Sequence, residues 1–380
     1  MALTDKLTSI ANAIREKGST TAKLTLDAMP AAIAALEVGG GSGSGDEDIK
    51  LHWEGNLGKW AGNANGIWEW YFKKYGDKIT TANITGLSDA LQSLPTLEEI
   101  PFDFNCKVGT SLSMASAFSG SAKLKKIGKI VDCKCNSLAN TFSNCSRLRE
   151  LPIFENFTFD SSSSGNTARS AFSNCSSLRS VPEELLNKLG NDKATSNVYS
   201  SIFNGCYVLD EIRGLSPITG TLTSNQFSAT FYNCYRLKSL VFKTKEDGSP
   251  HIVNWKNQTI EIYNGIGWLT GNNASITDLN SGITEDKKIT DETNYPTLKD
   301  DPDCYTGNVY YSRFNHDSAV ELINSLPDAS AYLATQSGGT NTIKFRQDAG
   351  KLTDGGQIGD LTEEEIAVAT AKGWTITFAA

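Results

Sequence analysis

The feature that most constrains this chain is a ten-residue phrase spoken five times between Ala117 and Leu240. Its copies open at Phe118, Phe142, Phe172, Phe203 and Phe231, with successive starts 24, 30, 31 and 28 residues apart. The fourth position is Ser121, Cys145, Cys175, Cys206 or Cys234, and the seventh is always leucine, from Leu124 to Leu237. The last is Ile127, Leu151, Val181, Ile212 or Leu240. A weaker copy, Leu91, Leu94, Leu97 and Ile100, precedes them and opens the array. A short phrase at this period implies stacked supersecondary units.

The chemistry of the phrase predicts how a unit folds. Phe and Cys three apart fall on one face of a short helical turn. Asn or Gly before the cysteine breaks that turn, and Leu-x-x-[Leu/Ile/Val] then starts an inward-pointing extended segment. One unit cannot bury its own apolar edge, so stability becomes a sum of neighbour interfaces. Cys145, Cys175, Cys206 and Cys234 therefore read as a buried packing column. Ser121 in the same column excludes a disulfide framework, and Cys133-Lys-Cys135 lacks zinc-knuckle spacing. The cysteines fit a chain folded in a reducing cytoplasm.

On these copies the stretch from Ser88 to Phe242 resembles the BspA-like leucine-rich repeats, common on bacterial surfaces and in phage structural proteins. The resemblance implies an α/β leucine-rich-repeat solenoid with a small helical N-terminal module and an αβ C-terminal cap. It says less about chemistry, because repeat scaffolds host many activities. The organisation it suggests is a helical attachment module over 1–38, a Gly/Ser linker over 39–48 and an aromatic-rich cap over 49–87. The repeats follow over 88–245, then an irregular aromatic and acidic extension over 246–305 and the αβ cap over 306–380.

Leu3, Leu7, Ile10 and Ile14 recur at helical spacing, and a second short helix is expected around Met29–Leu36. Two such helices cannot hold a core alone. Their wording, from Leu3-Thr-Asp-Lys to Lys23-Leu-Thr-Leu-Asp, looks like the N-terminal segment of many phage and prophage tail proteins. The resemblance implies attachment to other virion structural proteins through residues 1–37, and a homo-oligomer. The aromatics Trp53, Trp60, Trp68, Trp70, Tyr71, Phe72 and Tyr75 read as a plug over the repeat end, with a sugar-stacking platform as the rival reading.

At the other end, Ser318-x-x-Glu321 and Thr362-x-x-Glu365 read as capping boxes. The first opens a helix with Val320, Ile323 and Leu326 inward; the second has Ile366 and Ala369 inward. Thr340–Phe345 and Trp374–Phe378 read as strands. The ending from Leu361 to Thr377 resembles that of gut-bacterial and prophage repeat proteins.

Several function classes are disfavoured. A net charge of −8 argues against general nucleic-acid binding. No apolar run is long enough for membrane insertion, and the start Met-Ala-Leu-Thr-Asp-Lys has no apolar h-region of a signal peptide. His52, His251 and His316 each stand alone in sequence, in no zinc-protease frame, and no G-x-S-x-G elbow exists. Acidic groups between Asp278 and Asp303 do not match an EF-hand loop. No catalytic residue, metal site or cofactor is expected. The expected ligand-binding residues follow the repeat leucine: Lys125, Arg149, Arg179 and Lys238, interrupted by Asp210. Tyr207 and Tyr235, after the column cysteine, would add stacking surface. Such a ladder suits an anionic polymer of a host envelope; the rival reading is a solvated face whose cations are offset by Asp210, Glu150 and Glu211 nearby and splay into water. The expectation is a non-enzymatic virion protein, tail- or fibre-associated, recognising a host envelope polysaccharide or surface protein. A bacterial cell-surface adhesin and a tail-borne glycan-degrading enzyme are the alternatives.

Overall fold

The computed structural model describes residues 51–56, 79–106, 109, 111–160, 168–189, 198–222, 224–234, 237–264, 266–268, 309–311, 314–347 and 361–379. The expected attachment module, the Gly/Ser linker, the aromatics from Trp60 to Tyr75, the acidic stretch Asp278–Asp303 and Tyr235 lie outside the described residues.

The repeat phrase does not form a helical turn. It forms a chain of tight turns in which backbone N–H groups alternate between two destinations. Ala117 N, Ser119 N and Ser121 N bond back to Met114 O, Ser116 O and Phe118 O at 3.0, 3.2 and 3.2 Å. Ser116 N, Phe118 N and Gly120 N instead donate to Ala139 O, Thr141 O and Ser143 O of the next copy, at 2.8, 2.9 and 2.8 Å. Asn140, Phe142 and Asn144 repeat the pattern toward Arg169, Ala171 and Ser173. A helix would close all these donors on itself and leave none for the neighbour. What prevents it is a pair of left-handed residues four apart in each coil. These are Ser116/Gly120, Asn140/Asn144, Ser170/Asn174, Ser201/Gly205 and Ala229/Asn233, with φ between 51° and 75°. The second of each pair is the Asn or Gly of the phrase, the types that adopt this conformation most readily.

Stacking puts like on like. The rings of Phe118, Phe142, Phe172, Phe203 and Phe231 follow one another at centroid distances of 5.4, 5.9, 5.7 and 6.2 Å, with interplanar angles of 8–15°. All five are buried. Offset-stacked pairs of this kind contribute about 0.5–1.5 kcal/mol each beyond area burial.

The cysteine column is equally ordered, and its residues do more than fill space. Cys145 Sγ donates to Phe118 O at 3.1 Å, Cys175 to Phe142 O at 3.0 Å, Cys206 to Phe172 O at 3.1 Å and Cys234 to Phe203 O at 3.2 Å. Ser121 Oγ makes the same bond to Leu91 O at 3.1 Å, which explains why serine substitutes there. The thiols are free and buried. Burial pushes the Cys145 thiol up to about 12 and raises Cys175 and Cys206 well above the ordinary thiol value.

Parallel pairing extends past the expected limits of the array. Strands Leu51–Asn56, Ile79–Gly86, Asp103–Cys106, Ile130–Val131 and Phe154–Glu155 form one parallel sheet, so residues 51–56 and 79–86 continue the stack. Beyond the last phrase, Asn254–Trp255 pairs in parallel with Thr221–Leu222. Thr259–Asn264 pairs in parallel with Asn341–Gln347, which pairs in parallel with Trp374–Ala379. Residues 254–264, expected in an irregular extension, are therefore part of the ordered stack. Ile260, Ile343 and Ile376 align across it, and so do Ile262, Phe345 and Phe378.

A buried amide ladder stitches this end together. Gln226 N donates to Gln258 Oε1 at 2.9 Å, and Gln258 N donates to Asn341 Oδ1 at 3.0 Å. All three side chains are almost fully buried. Trp255 Nε1 donates to Ile218 O at 2.6 Å and Trp374 Nε1 to Pro327 O at 2.9 Å, so both buried indoles are satisfied.

Helices His316–Ser325 and Glu363–Ala371 cover the end. The second opens with the Thr362/Glu365 capping box. The first corrects the sequence reading: its N-cap is Asn315 and its box partner is Ser318, three residues earlier than Ser318/Glu321. Glu321 is thereby released for another task. The helix buries Ala319, Leu322 and Ile323, while Val320 is only partly covered.

Two stability predictions follow from the close packing. Cys175→Ala should cost about 1–2 kcal/mol in urea unfolding, from lost volume plus a lost hydrogen bond. Cys175→Ser, which keeps the donor as Ser121 does, should lose less than Cys175→Val if the bond matters. Gly128 has no room for a side chain: a Cβ would lie 1.9 Å from Phe102 O. Gly128→Ala should therefore lower the unfolding free energy by roughly 2 kcal/mol or more, because backbone must move.

Candidate functional site: a charged face and the groove at its end

The residues after the repeat leucine do form a column. Lys125 N donates to Glu98 O at 2.7 Å, Arg179 N to Arg149 O at 3.3 Å, Asp210 N to Arg179 O at 3.0 Å and Lys238 N to Asp210 O at 2.8 Å. Adjacent strands lie about 4.8 Å apart, so like charges here are close neighbours. The column begins one step earlier than the sequence reading placed it, at Glu98 of the weaker copy.

Its charges divide into three parts. At one end Lys125 Nζ meets Glu98 Oε2 at 2.9 Å, and that hydrogen bond holds the Glu98 carboxyl below its usual range. Both groups are about half exposed, and water and salt screen such a pair, so it restrains Lys125 only weakly. At the other end Asp210 and Glu211 interrupt the cations. Lys238 Nζ pairs with Glu211 Oε1 at 3.0 Å, and this bond lowers the Glu211 pKa. Arg213 bridges Glu211 Oε2 at 3.2 Å and grips Glu321 with both terminal nitrogens, at 2.6 and 3.3 Å. Ser239 Oγ donates to Glu321 Oε2 at 2.8 Å. Lys238 is thus part of a lattice tying the last repeat to the helix His316–Ser325. It is set apart from the other three cations.

The phrases opening at Phe118, Phe142 and Phe172 carry Lys123, Lys125, Lys126, Arg147, Arg149 and Arg179 and one carboxylate of their own, Glu150, while Glu98 and Glu99 of the preceding copy lie against Lys125 and Lys126. Lys123, Lys125, Lys126 and Arg149 are exposed; Arg147 and Arg179 are half-buried. Sequence reading singled out one cation per phrase and passed over Lys123, Lys126 and Arg147. The signal was present in the phrase, but only stacking brings these tips together. Tyr207 is half-buried, and among the described residues of this region the exposed aromatic is Tyr232.

The end of the face opens into a groove of about 830 Å³ between the last repeat strand, Ser239–Phe242, and the helix His316–Ser325. His316, alone in sequence, is not alone here. Its Nε2 lies 3.1 Å from Glu365 Oε2, 49 residues away, and its Nδ1 lies 3.5 Å from Asp317 Oδ1. Partial burial opposes the imidazolium, yet the two carboxylates outweigh it and raise the His316 pKa. Glu365 is lowered, first by the Thr362 N–H that caps the helix at 2.7 Å. Among the described residues no group of three or more metal-ligating side chains converges. No described helix is long and apolar enough to cross a membrane.

No family model, no curated protein and no solved structure matches this chain.

The His316–Glu365 contact sets a pH window for the C-terminal helices. A raised histidine contributes below its unfolded pKa of about 6.5, and that stability is lost as pH rises through the higher folded value. A lowered glutamate contributes above about 4.5, and its share is lost as pH falls through the lower folded value. Melting temperature should therefore peak between about pH 4.5 and 6.5 for this contact and decline above it. His316→Gln should flatten the alkaline side of that profile, as measured by calorimetry.

Proposed function

We propose that this chain is a non-enzymatic virion structural protein, tail- or fibre-associated, whose repeats form a leucine-rich-repeat solenoid of the BspA-like type. It is made in the host cytoplasm and carried in the particle, held to other virion proteins through residues 1–37. Its repeat face recognises an anionic polysaccharide of the host envelope. The assignment to a virion rests on the wording of residues 3–37 and of the C-terminal segment.

The observation that carries the binding role is the charge of three adjacent repeat tips. Six cations stand against Glu150 and, beside Lys125 and Lys126, Glu98 and Glu99, which leaves a local balance of +3 (six minus three) on a chain whose total is −8. Concentrating like charge on stacked strands is unfavourable in itself. A polyanion lying along the tips would relieve that repulsion and release the counterions around both partners. Asp210 and Glu211 bound the patch toward the last repeat, and Glu98 and Glu99 partly offset it at the other end, so such a polymer would lie over Arg147, Arg149 and Arg179.

The test replaces Lys125, Lys126, Arg149 and Arg179 with Glu together, with folding checked by circular dichroism. Particle adsorption to host cells should fall at least about tenfold and lose its salt dependence, since exposed charges are screened within about 10 Å at 0.1 M salt. Lys238→Glu should leave adsorption nearly unchanged. Adsorption and salt response equal to those of the parent would reduce the patch to a solvated face.

A further inference from the structure

We propose that the strand Trp374–Ala379 is an interface for a second copy of this chain, the two strands pairing antiparallel about a two-fold axis at Ile376. This is independent of the envelope-binding reading and uses a different part of the chain from the expected attachment module.

The strand is an open edge. It pairs in parallel with Asn341–Gln347 on one side, and among the described residues no strand pairs on the other. Alternate residues of an edge strand direct their N–H and C=O groups away from the sheet, and proteins blunt such edges with lysines, prolines or bulges. This edge has none of the three. Trp-Thr-Ile-Thr-Phe-Ala carries no charge and no proline, and it keeps an unbroken register with its neighbour from Trp374 to Ala379. The side-chain rows that cross the sheet stop here as well. Ile262, Phe345 and Phe378 form one row; Phe345 is fully buried, whereas Phe378, stacked on it at 6.0 Å, is 44% exposed. Thr259, Thr342 and Thr375 form another, which ends with Thr375 exposed. One more strand would continue both rows.

The order of the side chains selects the occupant. From Trp374 to Phe378 the strand reads aromatic, Thr, Ile, Thr, aromatic, the same in both directions. A two-fold interface must be self-complementary: where residue i meets j, residue j meets i. Antiparallel pairing centred on Ile376 sets Ile376 against its own copy. It sets Thr375 against Thr377 of the second copy, and Trp374 against Phe378 of the second copy. Facing side chains then lie about 5 Å apart, and Thr–Thr and aromatic pairs are among those that stabilise neighbouring strands. A strand of another protein would have to match this order; a second copy matches it by construction.

The experiment measures the mass of the full chain by light scattering at micromolar concentration, for the parent and two double variants. Both variants carry Thr377→Glu, at an exposed position beside Lys344 of its own sheet. The first adds Thr375→Glu and the second adds Thr375→Lys. Across the two-fold axis the first variant sets like charges against each other, and the second sets opposite charges against each other. The parent and the Thr375→Lys variant should have the same mass, and the Thr375→Glu variant should have half of it or less. The two variants differ at one exposed side chain, so a difference in mass between them is not a loss of folding, which circular dichroism checks separately. A monomeric parent would overturn the proposal. So would a Thr375→Glu variant with the parent's mass, or a Thr375→Lys variant that dissociates as the other does.

Discussion

Everything in this fold depends on the way each coil divides its backbone donors between itself and its neighbour. In the turn segment, N–H groups alternate between their own coil and the next one. A coil taken alone would leave half of these donors without a protein partner. Stacking removes that cost and at the same time superimposes the side chains. The phenylalanine file, the cysteine column and the outward charges all inherit their order from the same bonds.

The left-handed residues are the local cost of this arrangement. A non-glycine residue with positive φ is disfavoured by about 1–2 kcal/mol, and ten of the twelve from Asp89 to Asn233 in the coil pairs are not glycine once Asp89/Ser93 is counted with the five phrase copies, apart from Gly120 and Gly205. They persist because inter-coil bonds and ring stacking over-determine the conformation. The thiol-to-carbonyl bonds add a second reason for cysteine at the column. A small apolar residue would fill the volume, but it would not bond the carbonyl of the preceding phenylalanine.

The charged face shows how the outward positions of a repeat can vary without disturbing its frame. Inward positions of the phrase are nearly fixed in type, while the outward ones change from copy to copy. In the middle of the stack they accumulate positive charge. Toward the C-terminal end they turn into the lattice of Lys238, Glu211, Arg213 and Glu321, which joins the last repeat to the helix His316–Ser325. The same outward surface thus carries exposed charge in one part and closes the stack in another.

Much of this was legible in the sequence. The period, the inward Phe, Cys and Leu positions, the Thr362/Glu365 box and the terminal strands all follow from local spacing, because each depends on residues within a few positions of one another. Local spacing misled where several local patterns compete: Ser318/Glu321 reads as a capping box, yet Asn315 wins the cap and Glu321 turns to Arg213, 108 residues away. What only the tertiary structure decided are the pairings across coils. The Gln226–Gln258–Asn341 ladder joins residues 32 and 83 apart and the His316–Glu365 contact residues 49 apart, and the separation of Lys238 from the central cations likewise depends on neighbours that no local period encodes. The phrase determines that coils stack; which outward charges then find partners depends on the three-dimensional neighbours that stacking creates.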